Sequence, residues 1–154
     1  IWKPTIAIWQ GAGYLAYSIL CERKFLAESK DISYRITLGN DLRLDFLEEL
    51  DLISIVGNLL DNALEAAEKT EDGRYVECRM YMGNAGHFLV MEFCNGYVVP
   101  LLKDKDRYIS TKRDADSHGI GLHMVGKLVK KYAGIMRVEA GEREFSVKLI
   151  FTIK

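Results

Sequence analysis

The sequence has little proline, few cysteines and almost no net charge, and each shortage excludes a class of protein. Its 154 residues include two prolines, Pro4 and Pro100, and no low-complexity tract, so nothing divides the chain into separate folding units. The three cysteines, Cys21, Cys78 and Cys94, form an odd set without a close pair. This argues against a disulfide framework or zinc cluster and favours a reducing, cytoplasmic setting. The formal charge of −1 argues against a nucleic-acid module held by bulk positive potential.

The sequence also lacks a convincing membrane span or signal peptide. Residues 4–21 carry no formal charge, but proline, glutamine and glycine interrupt the apolar run. The chain begins at Ile1 without a methionine and without a basic-then-apolar leader. We therefore expect a fragment that forms one domain over residues 1–154, with residues 1–10 as a linker from a missing upstream segment.

Hydrophobic periodicity predicts a helix, a strand, a second helix, a hairpin, a long loop, a third helix and two final strands. The first helix begins at about Gly13 and is expected to pack along the domain, with Leu15, Ile19 and Leu26 on or near one face. The clearest helix covers about residues 50–69, where apolar residues recur three and four apart. The other predicted elements are strands at 33–38, 74–82, 87–94, 135–139 and 145–153, a loop at 95–118 and a helix at 121–132.

Two asparagines, Asn58 and Asn62, lie four residues apart in the sequence NLLDNALEAA and therefore share one face of the long helix. Asparagine is mildly unfavourable inside helices, because its side chain competes with the backbone for hydrogen bonds. An amide oxygen is a suitable ligand for Mg²⁺, which prefers oxygen donors. A solvated polar helix surface remains an equal alternative for this motif alone.

A second motif, SHGIGL at residues 117–122, places Gly119 and Gly121 at the start of a predicted helix. Glycine lets the backbone approach a ligand closely, and the N–H groups at a helix start favour phosphate. The motif is not a Walker A loop, because the chain has no GxxxxGK[ST] sequence. It is not a Rossmann fingerprint either, because it follows a charged loop and not a strand.

The third motif is Cys94-Asn95-Gly96, which ends a predicted strand immediately before the long loop. In this order and context, the three motifs resemble the ATP-binding domain of the GHKL superfamily, the group of gyrase, Hsp90, histidine kinases and MutL proteins. The asparagine-rich helix, the STK sequence at 110–112 and the SHGIGL loop look most like sensor histidine kinases of the accessory-gene-regulator type. The resemblance covers about residues 11–151.

The resemblance implies an α+β fold: a two-layer α/β sandwich of the Bergerat type, with a mixed sheet, three helices and an ATP lid. It implies that Asn62 ligates Mg²⁺ and that Asn58 faces the phosphates. Members that hydrolyse ATP have a glutamate as general base at the earlier position, so the amide there fits phosphoryl transfer better. Lys112 would be the catalytic lid cation, with Arg113 second. The other residues expected around the nucleotide are Asn95, Gly96, His118, Gly119, Ile120, Gly121 and Leu122.

The adenine position departs from the superfamily sequence DxGxG, because no aspartate is present there. With Phe93 and the preceding alternate apolar residues facing inward, Asn95 falls where the aspartate would, and its carbonyl can still accept a hydrogen bond. An alignment on the glycine would put Cys94 there instead. Val98 replaces the second glycine of the box.

The resemblance implies the catalytic domain of a two-component sensor histidine kinase, which binds Mg-ATP and donates the γ-phosphate to a histidine. None of His87, His118 and His123 lies on a segment that resembles a phosphoacceptor helix. The acceptor is therefore expected on a dimerisation domain of the same kinase, outside this chain. A response regulator is the expected downstream partner. We expect the isolated domain to be a monomer and the cytoplasmic part of a membrane-anchored receptor, with no nucleic-acid partner.

Two alternative functions are compatible with the same motifs. One is a serine kinase of the anti-sigma-factor type, and the other is an interaction module that binds nucleotide, or only its partner, without transferring phosphate. Membrane helices and a phosphoacceptor helix encoded upstream of this chain would favour the histidine kinase over the serine kinase. Retained partner binding without nucleotide binding would favour the second.

Overall fold

A computed structural model describes residues 12–98 and 121–153 of the chain. Five strands in these residues form one mixed sheet in the order β1-β2-β3-β5-β4. The first two strands pair in parallel, and the other neighbours are antiparallel. Their bounds are β1 Ser33–Leu38, β2 Tyr75–Gly83, β3 Phe88–Gly96, β4 Ile135–Ala140 and β5 Glu144–Thr152.

Three helices accompany the sheet: α1 (Ala12–Ser29), α2 (Glu49–Glu68) and α3, which is described over residues 121–131. Helix α2 packs on β2 and β3, and α1 packs on α2 and β1. All three contribute to one core with the sheet. The expected two-layer sandwich of a mixed sheet and three helices is confirmed. The expected lid lies mostly within residues 99–120, outside the described part of the chain.

Helix α2 forms because its apolar residues repeat with helical spacing along one face. Acidic residues in its first turn, Glu49 and Asp51, favour the helix through the dipole. Its end is closed by Thr70, whose Oγ1 donates a 2.8 Å hydrogen bond to the carbonyl of Ala67. The face buried in the core consists of Leu52, Ile55, Val56, Leu59, Leu60, Ala63, Leu64 and Ala67.

The apolar residues Leu15, Ile19 and Leu26 do not form the buried face of α1. Leu15 and Leu26 remain 39% and 41% exposed, and Ile19 is half-buried at the edge of the core. The fully buried side chains of α1 are Ala16, Leu20 and Ala27. The buried face of α1 therefore combines one large side chain with two small ones, while two of its leucines stay partly exposed.

The face of the sheet opposite the helices carries charges. Glu92 on β3 accepts a 2.9 Å hydrogen bond from the hydroxyl of Tyr81 and forms ion pairs with Arg79 and Lys148. Its side chain is only 12% exposed, so these partners compensate the burial of a carboxylate. Among the residues described, no helix has both the length and the apolar character that crossing a bilayer requires.

Two glycines differ in the space around them, and alanine substitutions there should shift stability in opposite directions. A Cβ atom on Gly134, just after α3, would lie 2.9 Å from Phe151 Cδ1 and 3.0 Å from the carbonyl oxygen of Ile150. A Cβ atom on Gly57, inside α2, would meet nothing within 4 Å. We expect Gly134→Ala to lower the free energy of unfolding by about 1–3 kcal/mol through overpacking. We expect Gly57→Ala to raise it by about 0.5–1 kcal/mol.

Urea denaturation of the two variants beside the wild type measures both effects. Equal changes of the same sign would contradict the packing around Gly134.

Candidate functional site

The two asparagines of α2 lie at the border of its buried face, and both are half-buried. The amide of Asn58 is oriented by Ser54, one turn earlier: Asn58 Nδ2 donates to the carbonyl oxygen of Ser54 at 2.7 Å and to Ser54 Oγ at 3.2 Å. Asn62 differs, because its Nδ2 is buried and has no hydrogen-bond partner in the described structure. A buried amide without a partner is unfavourable, so Asn62 is the side chain that a ligand would satisfy.

Helix α3 brings Gly121 against these two amides. A Cβ atom on Gly121 would lie 3.3 Å from Asn58 Oδ1, 3.4 Å from Asn62 Nδ2 and 3.6 Å from Asn62 Oδ1. Even one methyl group would therefore press on both side chains. The first described turn of α3 and the asparagine face of α2 form the candidate site.

Asp61, which stands between the two asparagines in the motif, belongs to a different contact. Arg23 of α1 donates to it from Nε at 2.8 Å and from Nη2 at 3.5 Å. This pair joins α1 to α2 directly beside Asn62, so it helps to fix the position of the helix that carries the site.

Asn95 on β3 faces the helices, as the strand alternation predicts. It is 2% exposed and follows the buried Phe93 on the same face. Its Nδ2 donates a 2.8 Å hydrogen bond to the carbonyl of Gly96, which leaves Oδ1 as the remaining acceptor. Cys94 is half-buried on the opposite face, where burial raises the pKa of its thiol.

Gly96 is glycine for a packing reason that the sequence did not reveal. A Cβ atom there would lie 2.5 Å from the carbonyl oxygen of Gly73, in the loop after α2. No side chain can occupy that space without moving the backbone. Val98, two residues later, is 59% exposed.

The structure brings together Asn58, Asn62 and Gly121 from the predicted site. Leu122, expected near the nucleotide, packs half-buried against the core. Lys112, Arg113, His118, Gly119 and Ile120 lie outside the described residues. Within residues 12–98 and 121–153, no three His, Cys, Asp or Glu side chains gather to hold a metal ion. Asn62 fits a magnesium site through its amide oxygen, which is the kind of hard ligand that Mg²⁺ prefers. Its Nδ2, which has no partner among the described residues, is a hydrogen-bond donor and suits an acceptor such as a phosphate oxygen.

Sequence reasoning missed Ser54, although a signal was present. Ser54 lies four residues before Asn58 and therefore on the same helical face. It also missed the contact between Asp51 of α2 and Tyr132 at the end of α3, which are 81 residues apart. No local pattern connects two such positions.

Comparison with known families matches the sequence model of the GHKL domain to residues 47–152, which include α2, the sheet from β2 onward and α3. The chain belongs to the GHKL family. Sensor histidine kinase DpiB of Escherichia coli (strain K12) is 34% identical over 98 residues, which are 60% of this chain and 18% of that protein. Adaptive-response sensory kinase SasA of Prochlorococcus marinus (strain MIT 9313) is 26% identical over 129 residues, 79% of this chain and 34% of that protein. This GHKL chain thus spans at most about a third of these relatives.

Solved structures share the fold of this GHKL domain. The nucleotide-free catalytic domain of histidine kinase ThkA has a TM-score of 0.66 at 15% identity and covers 90% of both chains. The mycobacterial sensor histidine kinase MprB has a TM-score of 0.60 at 16% identity, with 88% of this chain and 94% of that chain covered. Identities this low support the shared fold alone.

The hydrogen bond from Asn95 to the Gly96 carbonyl makes a testable contribution to stability. Asn95→Asp removes the donor and buries a carboxylate beside a carbonyl oxygen, so the free energy of unfolding should fall by about 1–3 kcal/mol at pH 7. Burial should raise the pKa of the new carboxyl above its unfolded value. The deficit should therefore be full above the folded pKa and shrink as the pH falls below it.

Thermal unfolding without nucleotide, recorded from pH 7 down to pH 4, measures this deficit. Asn40→Asp, at an exposed turn, serves as the control and should show little change. An unfolding temperature for Asn95→Asp equal to that of the wild type at pH 7 would show that the amide donor contributes nothing.

Proposed function

We propose that this GHKL domain is the catalytic domain of a sensor histidine kinase, which binds Mg-ATP and donates the γ-phosphate to a histidine on a dimerisation domain outside the chain. The observation that carries the proposal is the approach of Gly121 to Asn58 and Asn62. A glycine at that point lets the backbone of α3 come close to both amides, which gathers these polar groups at the start of the helix. The unpartnered Nδ2 of Asn62 supplies a polar group that needs a ligand.

Each residue has a distinct proposed task. Asn62 would hold Mg²⁺ through its amide oxygen, and the ion would neutralise charge on the phosphates. Asn58, already oriented by Ser54, would present Oδ1 toward the site without acting as a base, because an amide does not accept a proton near neutral pH. The site would therefore position ATP for transfer without activating water. Lys112 and Arg113 remain the proposed lid cations, and Asn95 Oδ1 the proposed adenine acceptor.

The name of DpiB, a sensor histidine kinase, and that of SasA, a sensory kinase, support transfer to histidine over transfer to serine. The partners would then be the dimerisation domain of the same kinase and a response regulator. A nucleotide-dependent interaction module is the second candidate, because the adenine position has an amide tied to Gly96 in place of an aspartate.

Magnesium-dependent nucleotide binding is the first test. At 100 times its dissociation constant, a ligand stabilises a folded protein by about 2.7 kcal/mol. We expect Mg-ATP to raise the unfolding temperature of the 154-residue chain by roughly 5–10 °C, with a smaller rise when a chelator is added and none with GTP. Asn62→Ala should lose the magnesium-dependent part, whereas Asn40→Ala, at an exposed turn, should keep it. No shift at millimolar Mg-ATP would favour the interaction module.

Phosphotransfer is tested in the full-length protein that contains this domain. In that reaction the γ-phosphorus leaves the oxygen bridging to the β-phosphate, bonds to an imidazole nitrogen, and ADP departs. We expect Asn62→Ala to reduce the rate at least about tenfold, because a direct magnesium ligand should matter no less than groups that only orient ligands. Asn40→Ala should transfer at the wild-type rate.

The chemistry of the product separates the kinase alternatives. A phosphohistidine is labile in acid, whereas a phosphoserine survives it. An acid-stable product would replace the histidine kinase by the serine kinase, and an undiminished rate in Asn62→Ala would remove the central assignment.

A further inference from the structure

A cluster of polar groups joins the start of α2 to the end of α3, away from the candidate site. We call Glu48, Asp51, Lys131 and Tyr132 the Asp51 cluster. The carboxylate of Asp51, only 14% exposed, accepts hydrogen bonds from the Tyr132 hydroxyl and from Lys131 Nζ, the latter at 2.7 Å. The Tyr132 hydroxyl in turn accepts a 3.0 Å hydrogen bond from the backbone N–H of Glu48. One hydroxyl therefore bridges two groups of the first turn of α2.

The position of that hydroxyl is fixed by the ring that carries it. The Tyr132 ring packs edge-on against Phe46 and Phe151, with centroids 6.3 Å away in both contacts. The backbone just beyond it is equally constrained, because Gly134 has no room for a side chain against Phe151. The hydrogen bond from Lys131, with that from Tyr132, holds the pKa of Asp51 below its usual value, so the acceptor is a carboxylate at neutral pH.

The Asp51 cluster and the candidate site lie at opposite ends of α3, the first beside the start of α2 and the second beside its middle. The first described turn of α3 lies beside Asn58 and Asn62, whereas its last turn lies beside Asp51. Helix α3 therefore runs antiparallel to α2. At a rise of about 1.5 Å per residue, the two contacts are about 10 to 17 Å apart along α2.

Between these ends, α3 is held mainly by apolar contacts of Val125 and Val129, which are buried in the core. Apolar packing stabilises the pair but is not directional, so by itself it fixes the height of α3 along α2 only loosely. Hydrogen bonds are directional and weaken steeply with distance and angle. The Asp51 cluster supplies the directional contacts among the described residues at that end of α3.

We propose that Tyr132 and Asp51 are positioning residues for the nucleotide site, because they set the height of α3 along α2 and so hold Gly121 against Asn58 and Asn62. This inference rests on the proposed function, since it assigns a role in a site that binds Mg-ATP. Neither residue touches the site itself. A displacement of α3 by even a fraction of an ångström changes the space at Gly121, where the nearest amide atoms leave no slack for a methyl group.

The test is the dissociation constant of Mg-ATP for Tyr132→Phe, measured by titration calorimetry with the 154-residue chain well below its unfolding temperature. The variant keeps the ring and its contacts with Phe46 and Phe151 and removes only the bridging hydroxyl. We expect binding to weaken about threefold to tenfold, the range that follows from losing a hydrogen bond of ordinary strength. Asp51→Asn, which keeps one acceptor oxygen but loses the charge, should show a smaller loss.

Tyr81→Phe is the matched control. It also removes a tyrosine hydroxyl bonded to a carboxylate, that of Glu92, but on the face of the sheet opposite the helices. It should lower the unfolding temperature without changing the dissociation constant.

The outcomes separate this inference from the proposed function. If the wild type binds and Tyr132→Phe binds equally well while its unfolding temperature falls, the cluster is only stabilising and the inference is overturned. If Tyr132→Phe does not fold, unchanged binding by Asp51→Asn overturns it. If the wild type itself does not bind Mg-ATP, the proposed function fails and the inference falls with it.

Discussion

The burial of one face of α2 against β2 and β3 fixes the rotation of that helix, and the candidate site depends on this rotation. Successive residues of a helix point about 100° apart, so a rotation by one position would carry both asparagines away from α3. The core face from Leu52 to Ala67 admits one rotation. Asn58 and Asn62 then fall at the border between the core and α3, where both are half-buried.

The two amides are not equivalent, and the difference has chemical meaning. The Nδ2 of Asn58 donates hydrogen bonds to Ser54, so the amide oxygen Oδ1 is the atom that faces Gly121. The Nδ2 of Asn62 has no hydrogen-bond partner among residues 12–98 and 121–153, so this donor is available to a ligand. One amide is preorganised and the other is available. A site that holds a charged ligand benefits from both properties. A preorganised side chain lowers the entropic cost of binding, and an available N–H group can form a new hydrogen bond with the ligand.

The sequence predicts features that depend on neighbouring residues, such as helix and strand bounds. It does not predict contacts between residues far apart in the chain. Periodicity placed α2 and the strands within about two residues, and strand alternation placed Asn95 on the helix-facing side. It did not give the strand order, because pairing between β3 and β5 joins segments far apart in the chain. It did not single out the buried residues of α1, because apolar side chains such as Leu15 and Leu26 stay about 40% exposed while Leu20 is fully buried. The contact between Asp51 and Tyr132 has no local signature at all.

The structure separates a glycine that backbone packing explains from one that packing alone does not explain. Gly96 and Gly121 both look like nucleotide-binding glycines in the sequence. Gly96, however, is required by the backbone, because the carbonyl oxygen of Gly73 occupies the space a side chain would need. Its presence is therefore explained without any ligand. The nearest atoms to Gly121 are polar side-chain ends of Asn58 and Asn62, one of them unpartnered.

A site shaped by packing alone would give the buried Nδ2 of Asn62 an acceptor, because a buried donor without a partner is unfavourable. Gly121 and the asparagine pair therefore support a ligand at this point independently of Asn95.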